Sequence, residues 1–258
     1  MAAIIPIPAF RDNYIWAIRD GRRAAVVDPG DAAPVLEWLD REGVLLTAIV
    51  ATHHHNDHVG GNKALLARYA VPVFGPARET IPGRTHALGE GDSIVVPEID
   101  LSLRVLDIPG HTAGHIAYVG ETEGAPIAFV GDTLFAAGCG RLFEGTPPQM
   151  VASLAKLGRL PPATEIYCGH EYTMANLRFA SAVEPSSAAI AERTSREQAK
   201  RDAGLPTLPS TIALEHATNP FLRAHVPEVF AAAQAHAGHE LANVVESFAT
   251  LRAWKNVF

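Results

Sequence analysis

From Tyr14 to Asp132 short β-branched runs alternate with turn residues, the periodicity of strands packed on one face or on both. Residues 15–18, 24–27, 48–51, 101–108, 116–119 and 127–130 read as strands, punctuated by Asp28-Pro29-Gly30, Pro109-Gly110 and Val130-Gly131-Asp132, and residues 165–168 add another. Helical spacing fits residues 33–42, through Val35, Leu36 and Leu39, and residues 61–69, through Leu65 and Leu66. Strands on both sides of such helices predict two sheets with helices outside them. After Tyr172 the pattern turns helical, over residues 175–182, 187–203, 226–237 and 240–254, with Pro206 and Pro209 marking a linker at 204–210. The expected organisation is an α/β domain over residues 1–173 and an all-helical domain over residues 174–258.

Composition narrows the function classes. The chain has 258 residues, 48% of them hydrophobic and 19% charged, enough for a sizeable core. Its formal charge of -7 comes with no basic track, which argues against a nucleic-acid partner. The apolar start at residues 2–10 contains Pro6 and Pro8 and follows no basic residue, so it does not read as a signal peptide. No run approaches the roughly 18 apolar residues of a membrane span. Two cysteines, Cys139 and Cys168, form no disulfide framework and favour a reducing compartment; the cytoplasm is expected, and so is a monomer.

The chemistry concentrates in Thr52-His53-His54-His55-Asn56-Asp57-His58. In extended backbone, side chains two apart share a face, so His53 and His55 can converge on one metal ion while His54 points away. Asp57 and His58 would sit in the first turn of a helix opened by Val59-Gly60-Gly61 and reach a second ion, the two glycines letting the backbone pass close beneath. His111 follows a strand and would complete three imidazoles on the first ion. Asp132 ends another strand and can bridge the two cations, and His170 ends a third and serves the second ion. The other histidines singled out, His54, His86, His216, His225, His236 and His239, are expected in surface or hydrogen-bonding roles. Asp28 is expected to be a turn residue or to stand behind the ligands, and neither cysteine is expected to be a nucleophile.

The motif Thr52 to His58 resembles the T-H-x-H-x-D-H signature of the metallo-β-lactamase superfamily, which implies an αββα sandwich with its metals at one edge of paired sheets. Further segments are similar to the glyoxalase II family of hydroxyacylglutathione hydrolases. They are Asp12-Asn13-Tyr14, Pro109-Gly110-His111-Thr112 with Gly114-His115, Gly131 to Phe135, Gly138 to Arg141, Gly169 to Thr173, and Thr218 to Arg223. The resemblance spans the chain. It implies His53, His55 and His111 on one metal, Asp57, His58 and His170 on the other, and Asp132 between them, in agreement with the strand-end assignment. Two divalent ions are expected, zinc first, with iron and manganese as alternatives.

The resemblance further implies glutathione contacts from Arg141, Phe143, Tyr172, Arg252 and Lys255. Some members have Lys at position 141 and Tyr at 143; Arg keeps the charge, whereas Phe143 loses a hydroxyl. The implied substrate is S-D-lactoylglutathione or a related 2-hydroxyacylglutathione thioester, the implied products the 2-hydroxy acid and glutathione, and the implied role methylglyoxal detoxification. A hydroxide shared by the two metals would attack the thioester carbonyl, with Asp57 orienting it. A lactamase, a dioxygenase and a nuclease are competing activities on the same scaffold. A closed structural metal site is disfavoured, because seven ligands over two ions leave positions open.

Overall fold

In the computed structural model, which describes residues 2–258, the first part of the chain builds one sheet and the helices that cover it. Its elements are β1 (Ala3–Ala9), β2 (Asn13–Asp20), β3 (Arg23–Val27), α1 (Ala32–Glu42), β4 (Leu45–Val50), α2 (Asn56–Val59), α3 (Asn62–Arg68), β5 (Val73–Pro76) and β6 (His86–Leu88). The strands lie in the order β1-β2-β3-β4-β5-β6, parallel from β3 onward. Next come β7 (Ser93–Val95), β8 (Ser102–Asp107), β9 (Ile116–Thr122), β10 (Ala125–Gly131), a small hairpin of β11 (Leu134–Phe135) and β12 (Gly138–Cys139), α4 (Pro147–Gly158) and β13 (Glu165–Cys168). The remainder comprises α5 (Thr173–Val183), α6 (Ala188–Asp202), β14 (Ser210–Thr211), α7 (Ile212–Thr218), α8 (Pro227–Ala237) and α9 (Val244–Val257). The second sheet runs β14-β13-β10-β9-β8-β7.

Side-chain alternation explains why the sheets stack. Tyr14, Trp16 and Ile18 of β2, Ala25 and Val27 of β3, and Ala48 and Val50 of β4 face the second sheet, in one core with Val105, Tyr118 and Phe129. The intervening residues Ile15, Ala17, Ala24, Val26 and Ile49 face outward into a second core closed by Val35, Trp38 and Leu39 of α1 and Leu65 of α3. The two sheets are thus covered on their outer faces by helices, as the periodicity predicted. Phe248 and Leu251 of α9 belong to the same apolar cluster, with α9 resting on α4 and α8.

Several elements differ from the sequence expectation. The C-terminal segment is not all helical: Ser210 and Thr211, at the end of the expected linker, pair antiparallel with β13 and form the sheet edge. The apolar start is the edge strand β1, where Pro6 and Pro8 are tolerated because an edge leaves their missing N–H groups without a required partner. Helix α4 was not anticipated, although Thr146-Pro147-Pro148-Gln149 carries the signal: the Gln149 side chain accepts from the Thr146 amide at 2.9 Å, and proline suits a first helical turn. The last helix starts at Val244 and not at 240, since the Asn243 side chain accepts from the amides of Val245 and Glu246 and caps it there. The helix expected at 61–69 is α3, and a separate single turn, α2, precedes it, with Gly60-Gly61 between the two.

The helical part is tied in by a buried ion pair. Arg193 of α6 meets Glu215 of α7 at 2.7 Å, with both side chains withdrawn from solvent. The second Glu215 oxygen accepts from the Ala137 amide at 2.7 Å and from Asn219 at 2.9 Å, while Arg193 also reaches Thr218 and Ser210. Removing one partner strands a buried charge. The Glu215→Ala variant should therefore lose about 3–5 kcal/mol of stability in denaturant unfolding; a loss under about 1 kcal/mol would show that water reaches Arg193.

Candidate active site

Strand β4 delivers the histidine segment at the sheet edge. Just beyond it the Thr52 amide and hydroxyl both donate to the Asp28 carboxylate, each at 2.7 Å, which fixes the backbone from which His53 departs. His53 Nε2 lies 3.2 Å from His55 Nδ1, which lies 3.0 Å from His111 Nε2, so three ring nitrogens converge. A second group forms beside it. His58 Nε2 lies 3.7 Å from Asp57 Oδ2 and 3.4 Å from Asp132 Oδ1, and His170 Nε2 lies 3.4 Å from Asp57 Oδ2. Asp132 Oδ2 stands between the groups, 3.5 Å from His111 Nε2 and 3.2 Å from His170 Nε2.

Behind the converging atoms four of the rings are oriented through their other nitrogen. His53 Nδ1 meets the Thr52 hydroxyl at 3.0 Å, His58 Nδ1 meets Asp28 at 3.1 Å, His111 Nδ1 meets the Arg141 carbonyl at 2.8 Å, and His170 Nδ1 meets Asp12 at 2.8 Å. Asn13 donates to Asp57 Oδ2 at 3.1 Å. Such partners set both tautomer and ring direction in metal sites. His115 is buried beneath: it accepts from the Asp132 amide at 3.1 Å and stacks on His53 at 4.5 Å.

The donor set fits metal ions. His58 Nε2 and Asp132 Oδ1 are buried and make no hydrogen bond, an arrangement that costs free energy unless a cation takes their lone pairs. Two triads, His53/His55/His111 and Asp57/His58/His170, each place their donor atoms close enough for one ion. Burial pushes the first triad's imidazoles toward the neutral, ligating form, most strongly at His53. At His58 and His170 burial acts the same way but is outweighed by Asp132 with Asp28 or Asp57, and His170 is pushed up to about 10. Burial likewise opposes ionisation of Asp132, yet His58 and His170 hold its carboxyl far below the usual range. The carboxylates thus demand positive charge at the point where the triads meet.

The site opens into a cavity of about 750 Å³. Arg141, Phe143, Tyr172, Asn176, Arg252 and Lys255 also line it. Tyr172 stacks on His170 with ring centroids 4.7 Å apart, and the Phe143 edge approaches His111 at 5.3 Å. Arg252, on α9, donates to the Cys139 carbonyl at 2.7 Å, and Lys255 donates to the Ala175 carbonyl at 3.0 Å. Burial, reinforced by Arg252, Arg178 and Arg141, lowers the Lys255 amine to about 8. Cys139 and Cys168 are free and buried, and burial pushes the Cys139 thiol up to about 11.

Every residue expected around the metals or in the substrate site lines this cavity or the triads behind it. His216 meets the Gly158 carbonyl, and His86 and His236 stack on Phe74 and Trp254, all away from the two triads, whereas His54 meets Glu79 and lies edge-on to His55 with ring centroids 5.0 Å apart. Two expectations need correction. Asp57 and His58 lie on α2, ahead of Gly60-Gly61, and those glycines pack on the turn at 28–30, where a Cβ on Gly61 would stand 2.5 Å from the Pro29 carbonyl. The glycines pressed against the site are Gly169, where a Cβ would fall 2.6 Å from both Asp132 Oδ1 and the His58 ring, and Gly140, where it would fall 3.0 Å from His111 Nδ1. Asp12, Asn13 and His115 had no assigned role, although the motif segments that contain them were the available signal.

Comparison with known proteins agrees with this geometry. Residues 9–170 match the family model of the metallo-beta-lactamase superfamily, the class that the sandwich and paired triads define. Residues 171–258 match that of the hydroxyacylglutathione hydrolase C-terminus. A Cupriavidus taiwanensis protein named hydroxyacylglutathione hydrolase is 57% identical, with all of both chains covered. The chain belongs to the hydroxyacylglutathione hydrolase family. Among solved structures, ETHE1 from Myxococcus xanthus shares the fold with TM-score 0.66 at 24% identity, over 100% of this chain and 99% of that one. TTHA1623, solved in a di-iron-bound form, matches with TM-score 0.59 at 26% identity over 85% of this chain and 99% of its own.

The bond from Asp12 to His170 generates a prediction. Asp12→Ala should weaken metal binding at the Asp57/His58/His170 triad by about 10–100-fold in chelator competition; unchanged affinity would mean that packing against Tyr172 alone orients the ring.

Proposed function

We propose that this protein hydrolyses the thioester of S-D-lactoylglutathione and related S-2-hydroxyacylglutathiones, giving the 2-hydroxy acid and glutathione, and so serves methylglyoxal detoxification. The observation that carries the reading is one cavity lined both by members of the paired metal-ligand triads and by Arg141, Arg252 and Lys255. Glutathione carries two carboxylates, and on a chain of formal charge -7 only such a local basic patch can receive them. A β-lactam or a phosphodiester brings a single anionic group to these cations where glutathione brings two.

In this reading His53, His55 and His111 would hold one divalent ion, Asp57, His58 and His170 would hold the other, and Asp132 would serve both. Zinc is the first choice, with iron or manganese as alternatives; the relative solved with two irons supports the pair without deciding the element here. Bound divalent ions supply Lewis acidity and lower the pKa of coordinated water. Asp57 faces the cavity, steered by Asn13, and is the carboxylate that can accept from a water and aim it at the thioester carbonyl. Arg252 and Lys255 bind the glutathione carboxylates and Arg141 adds a forked donor. Tyr172, kept protonated by burial and by Asp12, Asp132 and Asp57, donates through its hydroxyl, while Phe143, exposed beside His111, offers the glutathione an apolar contact. The leaving thiolate is weakly basic, so no strong general acid is required.

The functional division falls at residues 1–173 for catalysis and 174–258 for substrate binding, with α9 completing the pocket. A monomer suffices, because one chain supplies every group named. Among the described residues no helix is long and apolar enough to cross a membrane, and the two unpaired cysteines favour the reducing cytoplasm.

Three outcomes follow for the purified protein. Replacing Arg252 and Lys255 together with Ala should raise KM for S-D-lactoylglutathione about tenfold or more while metal content stays at the wild-type level; wild-type kinetics would remove α9 from the binding site. KM should climb with pH above about 8 as Lys255 loses its proton, and Lys255→Arg should flatten that limb, since a guanidinium stays charged. Asp132→Ala should lose metal and rate together, and an inactive variant that retains both ions would contradict a bridging carboxylate.

A further inference from the structure

Outside the two triads, two glutamates and one histidine converge on the loop that carries His111. Glu79, which lies beyond β5, has its carboxylate buried. One of its oxygens accepts from the Thr112 hydroxyl and, at 3.0 Å, from the Gly114 amide; the other meets His54 Nδ1 at 2.9 Å. His54 Nε2 lies 3.3 Å from Glu144 Oε1, and Glu144 Oε2 accepts from the Ala113 amide at 2.8 Å. Groups of three successive residues, 112, 113 and 114, are therefore held by two carboxylates that His54 links. The approach needs a bare backbone: a Cβ on Gly114 would stand 2.7 Å from the Glu79 side chain. Arg84 donates to the Glu79 carbonyl at 2.6 Å and anchors the clamp from behind.

We propose that Glu79, linked through His54 to Glu144, is a positioning residue that fixes His111 at the first metal triad and couples it to the segment bearing Arg141 and Phe143. The inference rests on the metal assignment made under Proposed function. On its other side this loop is held by the 141–145 segment, through His111 Nδ1 to the Arg141 carbonyl at 2.8 Å, the Phe143 amide to the His111 carbonyl at 3.2 Å and the Gly145 amide to the Gly110 carbonyl at 3.2 Å. A ligand must be placed to a fraction of an ångström, and Thr112 is the next residue along the chain from His111. Loosening it moves the ring nitrogen, and loss of an outer partner of a metal ligand typically costs 10–100-fold in affinity.

The test uses the full-length metal-loaded protein, with stepwise chelator competition, thermal unfolding and steady-state kinetics on the same samples. Glu79→Ala should bind one of its two ions about 10–100-fold more weakly and hold the other within about twofold. The weakened site should be the one that Asp12→Ala spares. Glu79→Gln should recover most of the affinity, because its amide oxygen still accepts from Thr112 and Gly114. Glu144→Ala should raise KM more than it changes metal affinity, since it releases the 141–145 segment. Equal weakening of both sites in Glu79→Ala, or wild-type affinity at both, overturns the positioning role. If Glu79→Ala does not fold, Thr112→Val is judged by the same criterion. A wild-type protein that binds no metal overturns instead the reading of the site on which the inference rests.

Discussion

Charge balance at a water-poor sheet edge is the constraint on which the rest of the structure depends. Imidazoles and carboxylates taken from distant segments meet where His58 Nε2 and Asp132 Oδ1 find no hydrogen-bond partner. Left without partners, such buried groups would cost free energy; held around cations, they become a site. Much of the surrounding architecture serves this convergence. Asp28 holds Thr52 and His58, Asp12 holds His170, and the strand ends of both sheets release their ligands at the same edge.

Stacking the sheets brings that edge into being, and the C-terminal helices turn it into a pocket. The inter-sheet core sets the two groups of strand ends side by side, while the helices covering the outer faces keep the strands buried on both sides. Helix α9 then packs against the same core through Phe248 and Leu251, which carries Arg252 and Lys255 to the mouth of the metal edge. A hydrolytic centre common to many proteins of the superfamily is in this way furnished with a cationic wall suited to an anionic thiol conjugate. Glu171 strengthens the join, bonding Tyr14 at 3.1 Å on the sheet side and the Thr207 amide at 2.9 Å on the helical side.

Local signals made a good part of this legible from sequence. The strands β2, β3, β4, β8, β9, β10 and β13 were readable because each alternates or is continuously apolar between turn residues, and the triads because their ligands follow those strands directly. Elements lacking local contrast were missed. Strand β1 hides behind two prolines whose tolerance depends on an edge position, and β14 is two residues long and exists only because β13 offers it a partner. Likewise the roles of Asp12, His115 and Glu79 depend on contacts across 158, 17 and 33 residues, to His170, Asp132 and Thr112 respectively, and no spacing rule reports such pairings.

The central claim, that paired triads working with the cationic wall make a metal-dependent thioester hydrolase, is tested most directly by metal titration. Protein stripped of metal by chelation would be returned to activity by stepwise addition of zinc while hydrolysis of S-D-lactoylglutathione is followed. The account predicts negligible rate without metal and a rise that saturates at about two equivalents per chain. Full activity in the stripped protein, or saturation with no thioester cleavage, would contradict it.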